Sequence, residues 1–294
     1  MRYLYSVAIV FGVLLASCKG KNETIPAYVQ IDSLMMQTTA GQGSNVHDLS
    51  AFQLYLDGDY RGYFELPARV PLLAEGKHKI TLIPAVRLNG AANQFSLFRS
   101  LQAIDTTVTL TAGQTLSLEK VIFRFRSNCQ LPWAEDFEDN SATLIPLFTA
   151  PGDTSYITTE PFSLKGRFSS DSKVYTAFFT PSDTLKYMDL MSFATFSNLP
   201  VNGTDIFLEL DVKSPIPVQV SLQRITSSKN EYVPYLYINE TGGLWKRFYI
   251  NLTYELAGQP SDVKVRVLLS LNKPAELNQA VQVHIDNLRL NYLQ

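Results

Sequence analysis

The sequence predicts an all-β chain made of two consecutive β-sandwich modules. Three observations carry that prediction. The apolar runs are short and rich in Val, Ile, Leu, Phe, Tyr and Thr, residues that suit a half-buried pleated surface. No window shows the 3.6-residue apolar stripe of an amphipathic helix. Turn signals built on Gly, Pro, Asn and Asp recur between the runs at intervals suited to sandwiches.

The first module runs over 27–125. Ala27–Ile31 alternates with period two, and Thr38–Ser50 is a Gly, Ser, Asn and Asp loop. Phe52–Leu56 reads as a strand, and Asp57-Gly58-Asp59 as a hairpin turn into Tyr60–Leu66. Pro67 and Pro71 bound an edge segment, because proline cannot donate to a ladder. Glu75-Gly76 turns the chain into a strand at Lys77–Ile83. Thr106–Leu110 and Thr115–Phe125 follow around Ala112-Gly113.

Polar residues and Pro132 mark 126–132 as a linker. The second module, 133–294, has strand candidates at Val174–Phe179, Asp205–Lys213, Val218–Ile225, Tyr232–Ile238, Trp245–Leu252, Val263–Leu269 and Val281–Tyr292. The last of these changes phase. Val281, Val283 and Ile285 are apolar at odd positions, whereas Leu288, Leu290 and Tyr292 are apolar at even ones. A strand with one buried face needs an extra residue to do this, so a bulge is predicted at Asp286-Asn287.

The N-terminus carries the most specific motif. Arg2 precedes a short apolar run, Val7–Ala16, and the small residues Leu15-Ala16-Ser17 lead into Cys18. A run of this length is about half of what crosses a bilayer, so it reads as a cleaved secretory signal. The pattern resembles a bacterial lipoprotein signal peptide with its lipobox. The resemblance implies removal of 1–17, lipidation of Cys18, palmitate among its acyl chains, and a tether over 18–26. It implies a cell-envelope protein on the outer membrane of a Gram-negative bacterium of Bacteroidota type. The periplasmic and surface faces both stay open.

Composition narrows the function classes. The chain has 25 Lys+Arg against 27 Asp+Glu, a net charge of −2, and no basic cluster, which excludes nucleic acid as an expected partner. There are two cysteines. With Cys18 lipidated, Cys129 has no partner in the chain, so core packing must supply the stability. Three histidines, His47, His78 and His284, belong to no catalytic motif.

Two further resemblances concern the modules. Asp57-Gly58, Gly62, Pro67, Pro71 and Gly76-Lys77-His78 resemble a PEGA-type or immunoglobulin-like module, which implies a spacer or interaction role. Phe137-Glu138, Trp245–Tyr249 and Val283–Leu290 resemble the galactose-binding-like jelly roll of many carbohydrate-binding modules. That resemblance implies a structural calcium shared by Glu138 and Asp286, with no other cofactor required. An aromatic platform beside amide and acid groups suits a sugar, whose C–H faces pack on rings. Tyr235 and Tyr237 share parity with Glu231 and are expected on one strand face, with Tyr232 on the other and Trp245 as an alternative platform. The expected function is non-catalytic ligand binding, glycan ranking first. A structural or assembly subunit of an envelope protein complex stands second, and a glycan-active hydrolase third.

Asp32-Ser33-Leu34, Asp105-Thr106-Thr107 and Asp183-Thr184-Leu185 resemble the acceptor motif for O-glycans in Bacteroidota.

Overall fold

The computed structural model describes residues 25–139, 141–147, 155–164, 171–184 and 186–294. Cys18 and the signal segment 1–17 lie outside the described residues. The described residues are all-β apart from one short helix, α1 (Thr253–Leu256), and form two β-sandwiches. Among the described residues no helix is long and apolar enough to cross a membrane.

The first sandwich sets two layers face to face. One is β4 (Asp59–Glu65), β3 (Ala51–Leu56) and β6 (Gly76–Arg87). Beyond them β8 (Ile104–Leu110) and β7 (Phe95–Leu97) take successive stretches of β6. The other layer holds β5 (Ala68–Leu72), β1 (Ala27–Ile31) and β9 (Thr115–Ser117), with β2 (Leu34–Met36) beside β10 (Val121–Phe123). Alternation does the work here: Val29, Ile31, Leu54, Leu56, Ile80 and Leu82 point inward and are buried. The β3–β4 hairpin turns at Asp57 and Gly58, both with positive φ (53° and 90°), as a type I′ turn requires. The Asp57 carboxylate then accepts from the Lys79 amide at 2.8 Å and meets His78 Nδ1 at 2.6 Å. That contact holds the Asp57 carboxyl below its usual range and raises His78.

The second sandwich is a jelly roll. Its inner sheet has the order β13 (Ser155–Glu160), β14 (Ser172–Phe179), β21 (Val281–Leu293), β16 (Ile206–Lys213), β19 (Lys246–Asn251). β11 (Cys129–Glu135) also pairs with β21, in line with β14. The outer sheet has the order β12 (Leu144–Pro146), β15 (Tyr187–Ser192), β20 (Lys264–Asn272), β17 (Val218–Ile225), β18 (Asn230–Ile238). Leu208, Leu210, Val220, Leu222, Val267, Leu269, Ile285 and Leu290 fill the space between the sheets.

The two sandwiches are not beads on a string. β11 starts at Cys129, inside the stretch 126–132 that reads as a linker, and Cys129 pairs with Leu293. Cys129 is buried in the first module's core, where desolvation pushes its thiol up to about 12. The tip of the β6–β7 hairpin docks on the edge of β19: the Asn89 amide donates to Tyr249 O, and the Asn251 amide to Asn89 Oδ1, both at 2.9 Å. This covers an edge that would otherwise be open. Gly90 is needed here, since a Cβ would sit 2.9 Å from the Phe248 ring and φ is +74°.

The outward face of the inner sheet is therefore buried, and it carries charge. Arg247 Nη2 lies 2.6 Å from Glu209 Oε2 and Nη1 lies 2.8 Å from Asp211 Oδ1. Arg289 Nη1 reaches the same Glu209 oxygen at 3.4 Å, and its Nη2 donates to Ser44 O of the first module at 2.6 Å. Asn291 donates to Glu209 Oε1 at 2.8 Å and accepts from the Ser100 hydroxyl at 2.5 Å. Around this network Phe98 packs edge-on against Phe207 and Tyr249, at 5.3 and 5.2 Å. Burial raises the Asp211 carboxyl to about 6 even with Arg247 beside it. Against its own desolvation, Arg247 is held above its ordinary value by Asp211 and Glu209.

Two acids and two guanidinium groups balance, so removing one leaves charge stranded. Arg247→Ala should cost about 3–5 kcal/mol in urea unfolding. Opening the exposed pair Arg99–Asp205 (3.3 Å) should cost less than ~1 kcal/mol.

Candidate functional site

With the inner sheet covered, the jelly roll's open face is the outer sheet. Register sets its residues in rows across the strands. One row runs Tyr237, Gln219, Ser270, Asp189 over β18, β17, β20 and β15. The next runs Pro234, Ser221, Leu268, Met191, Ile145, and the third Tyr232, Gln223, Arg266. Each row crosses neighbouring strands about 4.8 Å apart, so Tyr237 and Asp189 are separated by about 14 Å. A groove of about 310 Å³ lies over the first two rows, with Tyr232 at its rim and Leu147 closing the far wall.

The chemistry of the groove is mixed. Tyr232 and Tyr237 are 53% and 57% exposed. Gln219, Ser221, Ser270 and Asp189 offer donors and acceptors between them. Gln223 is buried; its Nε2 donates to Asn230 Oδ1 (2.9 Å) and the Tyr232 hydroxyl (3.3 Å), while its Oε1 has no hydrogen-bond partner. A buried acceptor left unmade in this way costs free energy.

The expected tyrosine platform needs correction. Tyr235 and Tyr237 do not share a face. The β17–β18 ladder shifts register between Val220 and Ser221, with Val220 opposite Leu236 and Ser221 opposite Pro234. Tyr235 is the extra residue, and it flips the parity of everything beyond it. Tyr237 thus joins Tyr232 and Pro234 on the outer face. Tyr235 packs against the core and donates its hydroxyl to Asn251 O at 2.7 Å. Glu231 lies on Tyr235's side and pairs with Arg224 at 3.0 Å. Trp245 is buried against Phe162 (ring centroids 4.8 Å apart) and donates to Pro161 O at 2.9 Å, so it is packing rather than a platform. Sequence alone gave no sign of Asp189, Gln219, Gln223 or Arg266, because their convergence depends on strand order.

The phase change in β21 is a bulge, as expected. Glu209 faces Arg289 while Asp211 faces Asp286, and Asn287 adopts φ 49°. The bulge turns Asp286 toward Ser172, whose hydroxyl lies 2.9 Å from Asp286 Oδ2 and 3.1 Å from Glu138 Oε1. Glu138 and Asp286 do therefore converge. Lys173 N also donates to Glu138 Oε1 at 3.2 Å and Asn287 N to Asp286 Oδ1 at 2.7 Å; an all-oxygen donor set of this kind suits calcium. Among the described residues no group of three acidic, His or Cys side chains could hold a metal, so backbone oxygens and water would complete the shell.

No family model matches the chain, and no curated protein matches it. Solved structures do share similarity. The CBM22-2 xylan-binding domain of Xyn10C from Paenibacillus barcinonensis is 11% identical, with 55% of this chain and 99% of that one covered and a TM-score of 0.37. A family 11 carbohydrate-binding module from Clostridium thermocellum, solved with a β-1,3-1,4-mixed-linked tetrasaccharide, is 11% identical over 55% and 94%, with a TM-score of 0.34. An exo-β-agarase is 15% identical over 53% of this chain and 25% of its own, with a TM-score of 0.35. Likeness at this level assigns no ligand to this chain.

If Glu138 and Asp286 hold calcium, thermal melting in calcium should exceed melting in chelator, and Asp286→Ala should erase the difference. Coincident wild-type curves would end that assignment.

Proposed function

We propose that this chain is a non-catalytic binding protein that takes a glycan in the groove on the outer sheet of its jelly roll. The carrying observation is Tyr232, exposed in the lining of a groove of mixed polar and apolar residues, with Tyr237 exposed beside Gln219 on the same strand face. Rings so placed suit the C–H faces of a sugar. Gln219, Ser221, Ser270 and Asp189 suit its hydroxyls, for which planar and charged acceptors give orientation. Among the described residues Asp189 is the single carboxylate in the groove lining, whereas glycoside hydrolysis takes two acids across the scissile bond. This favours binding over turnover.

The anchor belongs to the same proposal. The Arg2, Val7–Ala16 and Leu15–Cys18 pattern supports a lipoprotein tethered through Cys18 to the outer membrane of a Gram-negative cell. Two or more acyl chains would hold it there stably, at about 0.8 kcal/mol per buried methylene. Cys18→Ser should release the protein from the membrane fraction and abolish incorporation of labelled palmitate. Retention in the membrane with no label would contradict the anchor.

The groove is tested with the lipid-free protein on glycan arrays and affinity gels. Tyr232→Ala and Tyr237→Ala should each weaken binding roughly tenfold, a loss of ~1.4 kcal/mol. Tyr235→Ala should lower the melting temperature and leave affinity nearly unchanged. Binding that survives both rim substitutions would remove this site, and absence of glycan binding would remove the reading.

A further inference from the structure

A basic side chain, Arg266, stands two residues along β20 from Leu268 of the groove lining. β20 presents Lys264, Arg266, Leu268 and Ser270 outward in turn. Arg266 is half-buried and lies across the third row. Its Nε donates to Thr195 Oγ1 at 2.9 Å, and its Nη1 lies 3.6 Å from the Met191 thioether, a weak acceptor. Neither contact neutralises it. Among the described residues no carboxylate stands within ion-pair distance of Arg266.

The nearby acids are engaged or turned away. Glu231 is on the opposite face of β18 with Arg224. Asp189 faces Ser270, four residues further along β20, or about 13 Å at strand rise. Asp262 precedes the strand and is exposed. Beside Arg266 in register stands Gln223, whose Oε1 lacks a partner, and next to that stands the Tyr232 ring. A half-buried guanidinium carries a desolvation cost that an opposite charge offsets. Its planar fork fits carboxylate and sulfate with two parallel hydrogen bonds, a match that a neutral hydroxyl cannot make.

We propose that the groove and the Arg266 row beside it select an anionic glycan, with a uronate carboxylate or a sulfate seated on Arg266 and the sugar ring on Tyr232. Lys264, exposed on the same line, adds long-range attraction. This rests on the glycan reading above and goes further than it, since the platform by itself would accept neutral sugars.

The test is a panel of neutral oligosaccharides, uronate oligosaccharides, their carboxyl-reduced counterparts and sulfated galactan oligosaccharides, at low and high salt. Anionic members should bind at least about tenfold tighter than neutral ones, and the advantage should shrink with salt. The uronate and sulfate arms distinguish the two sources of charge. Arg266→Gln should remove the preference, with unchanged melting showing that the fold is intact. Lys264→Gln, on an exposed side chain, should reduce it by a smaller factor, and serves if Arg266→Gln does not fold. Equal binding of carboxyl-reduced and native oligosaccharides, together with no advantage for the sulfated ones over neutral ones, would overturn the anionic preference and leave the glycan reading standing. No binding by any member of the panel would overturn both.

Discussion

Four buried charges constrain this molecule more than any other feature. Glu209, Asp211, Arg247 and Arg289 stand on the face of the inner sheet that a free jelly roll would give to water. Once paired, they are too costly to strand, so the first sandwich must stay seated over them. Ser44, Ser100 and Asn89 supply its side of the contact, through a backbone carbonyl, a hydroxyl and an amide. The result is a three-layer arrangement across the junction: first sandwich, inner sheet, outer sheet. A binding face is left only where the first module does not reach.

Two bulges then decide which side chains arrive where. The bulge in β21 lets Ile285 and Leu288 both face the core while Asp286 and Arg289 face outward. The Asp286 carboxylate joins Glu138 at Ser172, and the Arg289 guanidinium enters the buried network. The bulge in β18 does the corresponding work on the open face, bringing Tyr237 into line with Tyr232 and Pro234. In each case one extra residue changes which chemistry a sheet presents.

These two bulges also mark what could be read from the sequence. The bulge in β21 was legible because apolar residues lie on both sides of it, and a change of parity in Val283, Ile285, Leu288 and Leu290 admits one explanation. The bulge in β18 was not, because tyrosines suit either face of a strand, so Glu231-Tyr232-Val233-Pro234-Tyr235 reads equally well in both phases. Strongly alternating strands such as Val218–Ile225 were legible to the residue. Short ones such as β2, β7 and β12 were not, since three residues carry no period. The meeting of Glu138 with Asp286 followed from resemblance, whereas Asp189, Gln219 and Arg266 come from three strands whose adjacency no local pattern encodes. The junction was missed for a related reason: polar residues such as Asn128 and Gln130 look like a linker until their partners, Gln294 and Tyr292, are known.

The central claim is that the buried charge network makes the two sandwiches one cooperative unit, with the outer sheet as the open face of the jelly roll. Scanning calorimetry of the lipid-free protein tests this most directly. One transition, with calorimetric and van't Hoff enthalpies equal, is the predicted result. Two separated transitions, each with the enthalpy of one sandwich, would contradict it.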